Sequence, residues 1–119
     1  MPVKKLIHVF RRVSPLTREE GVKILMRDRF TCQYYGLDGT ASLENALMMT
    51  VDFVIPRALR GKKDPSNLVA ACRPCNLMKG RHKFASFEDA RNYVLQKREE
   101  ERRQWEKNIA QLQAHRATA

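Results

Sequence analysis

No stretch of the chain approaches the ~18 consecutive apolar residues of a membrane-spanning helix, so a membrane partner is not expected. The N-terminal segment MPVKKLIHVFRRV has basic flanks, but only residues 6–10 run without formal charge, too few for a signal-peptide core. Cysteine is sparse and odd in number, three in 119 residues, which disfavours a disulfide framework. A reducing, cytoplasmic setting is the expectation that follows. Acidic residues are short as well, 13 Asp and Glu against 23 Lys and Arg. The resulting net charge of +10 favours a polyanionic partner, most often nucleic acid, through counterion release. Internal repeats and low-complexity linkers are missing, and 119 residues allow one domain with a modest core. A hydrophobic share of 43% excludes wholesale disorder.

What is present begins with Thr17 and Glu20, a capping-box pattern. The helix it opens should end near Asp28, with Val22, Leu25 and Met26 at inward spacing. Residues 30–36 (FTCQYYG) read as a strand entering a tight turn, where Gly36 permits the positive φ required. Residues 37–46 read as an irregular insertion around the Asp38-Gly39 turn signal. Residues 48–55 and 68–71 are the two strands of a hairpin. Between them lies a loop too polar for a core, holding Gly61, Pro65, Arg57, Arg60, Lys62 and Lys63. A short cationic helix follows over 76–82, then a helix capped by Ser86 that buries Phe87, Ala90, Tyr93 and Val94. Beyond Gln96 the apolar stripe thins to Trp105, Ile109 and Leu112 while charges alternate at i,i+4, as in a solvated helical tail that frays at its end. A weak dimer helix is the sharper reading of the same residues.

The stretch from 50 to 80, TVDFVIPRALRGKKDPSNLVAACRPCNLMKG, organises the rest. It sets one acid, Asp52, in an apolar strand, and follows a C-x2-C pair, Cys72 and Cys75, directly with Asn76. One acid and one amide beside a cysteine pair suggest a hard-metal site next to a soft-metal clip. Taken alone, Asp52 reads as an ordinary strand acid, and the cysteines as a redox pair that lacks its usual βαβ setting.

Laid in order, R-D-R-F-T-C-Q-Y-x-G, V-D-x-V-I-P-R and N-L-V-A-A-C-R-P-C-N-L-x-K-G closely resemble the HNH endonuclease family, over residues 24–93. The resemblance implies an α+β fold: a small ββα-metal finger with a zinc-knuckle hairpin, flanked by an N-terminal helix and a long C-terminal helix. It also implies divalent-metal-dependent phosphodiester hydrolysis, with nucleic acid, first of all double-stranded DNA, as partner. By position, Asp52 and Asn76 match the ligands of a catalytic Mg2+ or Mn2+. Asn67 matches the Asn that braces the loop behind the catalytic His. Cys32, Cys72 and Cys75 match three of the four ligands of a structural Zn2+.

Two positions depart from the pattern. Phe53 stands where the family has its catalytic His, and Tyr35 where it has the second cysteine of the first pair. Phe has no lone pair, and losing a general base typically costs roughly 10²–10⁴-fold in rate. His82, on the same expected helix as Asn76, falls away from Phe53 by helical spacing, while His8 and His115 sit in the terminal segments. A tyrosine ligand would have to ionise, uphill for a phenol of pKa about 10. Water or Asp38 then takes the fourth place, or zinc is absent and Tyr35 packs as an aromatic plug.

The sequence thus divides into an N-terminal arm (1–16), an HNH-type domain (17–96) and a charged helical tail (97–119). Its expected function is nucleic-acid binding through phosphate contacts from Arg57, Arg60, Lys62, Lys63, Arg73, Lys79 and Arg81, with cleavage lost or strongly impaired. An active endonuclease using another base, and an interaction module built on the C-terminal helix, are the alternatives. The expected state is a monomer or weak homodimer.

Overall fold

The structure, a computed structural model, describes residues 16–118. The expected N-terminal arm lies outside the described residues, Leu16 apart. Helix α1 (Arg18–Arg27) starts as its capping pattern predicts, the Thr17 hydroxyl accepting from the Glu20 amide at 3.1 Å. Its inward face is the expected one only in part: Leu25 packs against the core and Ile24 is buried, whereas Val22 and Met26 are exposed. The helix lies on the hairpin along the row Gly21, Ile24 and Asp28; a Cβ at Gly21 would sit 3.9 Å from the Val51 side chain.

Polar groups, more than apolar ones, fix that rotation. Asp28 Oδ2 accepts from the amide of Ala70 at 2.8 Å, and Arg27, held by Asp28, donates to the carbonyls of Pro65 and Leu68. The Ala70 carbonyl accepts from the Gln33 amide at 2.9 Å. The outer edge of a two-stranded sheet is thereby satisfied without a third strand. Replacing Asp28 by Ala strands a buried amide and a guanidinium at once. We expect a loss of about 1–3 kcal/mol, read as a lower urea midpoint at unchanged m-value.

Arg29 and Phe30, both at positive φ, then turn the chain, with the Phe30 amide donating to the Leu25 carbonyl at 2.7 Å. Only an isolated bridge, Thr31 to Asp38, replaces the strand expected over 30–36. The end of the expected irregular insertion and the start of the expected strand form helix α2 (Leu43–Met48), capped by the Ser42 hydroxyl on the Asn45 amide. None of its six residues is buried, so it leaves no periodic apolar signal.

Strands β1 (Met49–Phe53) and β2 (Leu68–Cys72) pair antiparallel, from Met49 opposite Cys72 to Phe53 opposite Leu68. Helix α3 (Arg73–Lys79) opens at once after Cys72, with proline in its first turn where no amide hydrogen is missed. Helix α4 runs unbroken over Phe87–Thr118; the Ser86 hydroxyl accepts from the Asp89 amide at 3.1 Å. Ala90 and Val94 are fully buried, with Phe87 and Tyr93 packed beside them, as the sequence predicts. Further along, Trp105 and Leu112 are exposed, and Arg102 is paired with Glu99 and Glu106 on the solvated face. No helix among the described residues is long and apolar enough to cross a membrane.

The core is small and built largely from the finger itself: Cys32, Tyr34, Ala70, Ala71, Cys72 and Cys75 meet Ala90 and Val94 of α4. Hairpin, helix and thiol cluster give the expected α+β, ββα-metal type of architecture.

Candidate functional site

Cys32 is delivered by the turn after Phe30, where Gly36 takes φ +88° and its amide closes on the Cys32 carbonyl at 2.7 Å. The Tyr35 amide donates to Cys32 Sγ at 3.4 Å. Cys72 ends β2 and Cys75 lies one turn into α3, so strand and helix aim both thiols at the same point. The three sulfurs lie within 4.8 Å of one another and all three residues are buried. Hydrogen bonds from Cys72 and Cys75 hold the Cys32 thiol far below its ordinary pKa; sharing those protons pushes the two donors up.

Arg98 of α4 completes the cluster: its Nη1 sits 3.5 Å from Cys75 Sγ, and its guanidinium stacks on the Tyr35 ring at 3.4 Å. Three thiolates around a divalent ion leave one negative charge, which the guanidinium offsets. The donor set therefore fits a thiophilic metal ion with three protein ligands. Asp38, weighed as an oxygen ligand, is exposed and its carboxylate accepts from the Thr40 amide and hydroxyl at 2.9 and 2.7 Å. Among the described residues no His, Asp or Glu joins the trio. Tyr35 is half exposed; the buried aromatic plug is its neighbour Tyr34, whose ring lies 5.1 Å from Phe87.

The second site lies at the end of β1 and beside α3. Asp52 and Phe53 at the end of β1, Arg73, Asn76 and Arg81 from the α3 region, and Arg57 line one cleft of about 690 Å³. The hairpin and the helix that leaves it thus bring Asp52, Phe53 and Asn76 together. Asp52 is 4% exposed, and both its oxygens have partners. The Tyr34 hydroxyl donates to Oδ2; Lys79 Nζ lies 3.5 Å from Oδ1 and donates to the Phe53 carbonyl at 3.1 Å. Burial raises the Asp52 pKa, against the pull of Lys79 and Tyr34. Burial beside Asp52 in turn pushes the Tyr34 phenol well above its usual value.

Lys79 departs from its expected place among the phosphate contacts: at 1% exposure it points inward. Its spacing of four from Cys75 puts it on the buried face of α3. Lys63 is paired with Glu20 at 3.0 Å. Arg57, Arg60, Lys62, Arg73 and Arg81 are exposed. Among the described residues no histidine lines the cleft, and His82 turns to α4, its ring 5.5 Å from that of Tyr93.

The cationic loop between the strands is held by Asn67. Its Oδ1 accepts from the Ile55 amide at 2.8 Å, and its Nδ2 donates to the carbonyls of Ile55 and Lys62 at 3.1 and 3.0 Å. Gly61 lies so close to the strand end that a Cβ there would fall 1.7 Å from the Ile55 carbonyl oxygen. Asn67→Ala removes three bonds at a 9%-exposed position. We expect it to cost about 1–3 kcal/mol and to speed amide exchange at Ile55.

Fold and site together define a small ββα-metal finger with a buried thiol cluster and a basic cleft. Residues 32–82 match the model of the HNH endonuclease family. The resemblance to that family is therefore shown for this segment, which is under half of the chain. No curated protein and no solved structure matches the chain.

Proposed function

We propose that the chain is an HNH-type protein that binds nucleic acid, with double-stranded DNA the first candidate, and that phosphodiester cleavage is lost or strongly impaired. One observation carries this reading: the cleft shared by Asp52 and Asn76 is lined by Phe53 and guanidinium groups, with no imidazole among the described residues of its wall. Arg57, Arg73 and Arg81 supply phosphate contacts there, and Arg60 and Lys62 extend the basic surface along the loop. Hydrolysis needs a group that takes a proton from the attacking water, and Phe53 has no lone pair to offer. At the other site we propose zinc, held by Cys32, Cys72 and Cys75, as a structural ion. Unpaired cysteines kept as ligands suit the cytoplasm.

The test is a fluorescence-anisotropy titration of a short duplex at several salt concentrations, beside plasmid nicking with Mg2+ or Mn2+. The expected results are an affinity that falls steeply with salt and nicking no faster than the buffer control. An affinity indifferent to salt would turn the reading towards a protein partner. Nicking abolished by Asp52→Ala would show a working nuclease.

A further inference from the structure

Among the described residues lining the cleft Asp52 is the only carboxylate, and it faces a cation already carried by the chain. Lys79 Nζ stands 3.5 Å from its Oδ1 and is anchored by the Phe53 carbonyl, while Tyr34 donates to the other oxygen. Both charged side chains are almost wholly enclosed, 5% exposed for Asp52 and 1% for Lys79. Mg2+ binds at about 2.0–2.1 Å to oxygens that still have charge to give. Here the one anionic oxygen donor is neutralised, and Asn76 offers only an amide. An ion entering would meet the ammonium at close range or have to drive it from an enclosed position. The residues do not fit a divalent ion in this arrangement.

We infer that Lys79 takes the place of the divalent cation in this chain, leaving an anion-binding cleft that engages a phosphodiester without a metal ion. The cations turned to the ligand are Arg57, Arg73 and Arg81, while the Asp52–Lys79 pair, neutral overall, keeps the floor of the cleft rigid. The exclusion of the ion stands whatever the cleft binds; the phosphodiester rests on the proposed function.

Mn2+ binding is measured by electron paramagnetic resonance on the zinc-loaded full chain without nucleic acid. The expected result is no stoichiometric Mn2+ site, and the appearance of one in Lys79→Gln. A site in the unmodified chain that disappears in Asp52→Asn would overturn the inference. So would a folded Lys79→Gln that gains none. If Lys79→Gln does not fold, the unmodified chain with and without Asp52→Asn decides alone. Duplex affinity is then compared in chelator and in Mn2+. Divalent ions compete for phosphate, so an affinity equal or somewhat weaker in Mn2+ supports the inference, and a rise of about tenfold contradicts it. No duplex binding in either buffer would remove the nucleic-acid reading, while the Mn2+ measurement still decides the role of Lys79.

Discussion

Stripping the proposed zinc from the Cys32–Cys72–Cys75 cluster with a chelator is expected to unfold the hairpin and α3 together, and Cys75→Ala to do the same without a chelator. The finger has little else to hold it. Two paired strands of five residues are marginal on their own, and α3 is barely two turns long. The three cysteines belong to the buried cluster that also holds Tyr34 and, from α4, Ala90 and Val94. Structural zinc contributes on the order of 10–16 kcal/mol to small metal-folded domains, against a total stability of about 5–15 kcal/mol. A site with three protein ligands falls below that range, yet even about 3 kcal/mol would lower the melting temperature by roughly 12–24 °C in a domain of this size. Without the ion, three thiols share their protons in an enclosed space while Arg98 has lost part of its counter-charge. Circular dichroism across a chelator titration, with metal content measured alongside, checks the outcome. An unchanged melting curve after complete metal removal would reduce the trio to ordinary core residues.

The legible parts of this chain were those where one residue type has one reason to be present. Thr17, Ser86, Gly36 and the cysteine spacing each satisfy a local need, and each sits as its type demands. The face of α1 was less legible because its docking rests on Arg27 and Asp28, charged residues that a hydrophobic pattern treats as outward. Helix α2 leaves no hydrophobic pattern in the sequence because it buries nothing. At the site, position and motif brought Asp52, Phe53 and Asn76 to one cleft, but could not give the direction of Lys79. With Arg73, Arg81 and Lys83 close by in sequence, an inward lysine looks like its neighbours. Tyr34 and Arg98 were missed for a related reason: each acts through a contact made across the fold, Tyr34 on Asp52 and Arg98 on Cys75, far apart in sequence.

Restoring the base alone is expected to leave the cleft silent. Phe53→His puts an imidazole where the resemblance places the proton acceptor, and a recovered general base is ordinarily worth roughly 10²–10⁴-fold. That gain needs the negative charge on the leaving oxygen to be stabilised as well, the part a divalent ion supplies when bound. With Asp52 paired to Lys79, Phe53→His should nick supercoiled plasmid no faster than the unmodified chain in Mn2+. Phe53→His combined with Lys79→Gln frees the carboxylate and should raise nicking by about 10²–10⁴-fold, lost again on adding Asp52→Asn. The double variant gives up a buried ion pair, at a cost of about 3–5 kcal/mol, so its fold must be checked by circular dichroism before its rate is read. A fast Phe53→His single variant would show that Lys79 yields its place to metal and that the missing imidazole was the whole defect. A folded double variant that binds Mn2+ yet stays silent would move the fault elsewhere, to how the cleft seats the phosphodiester.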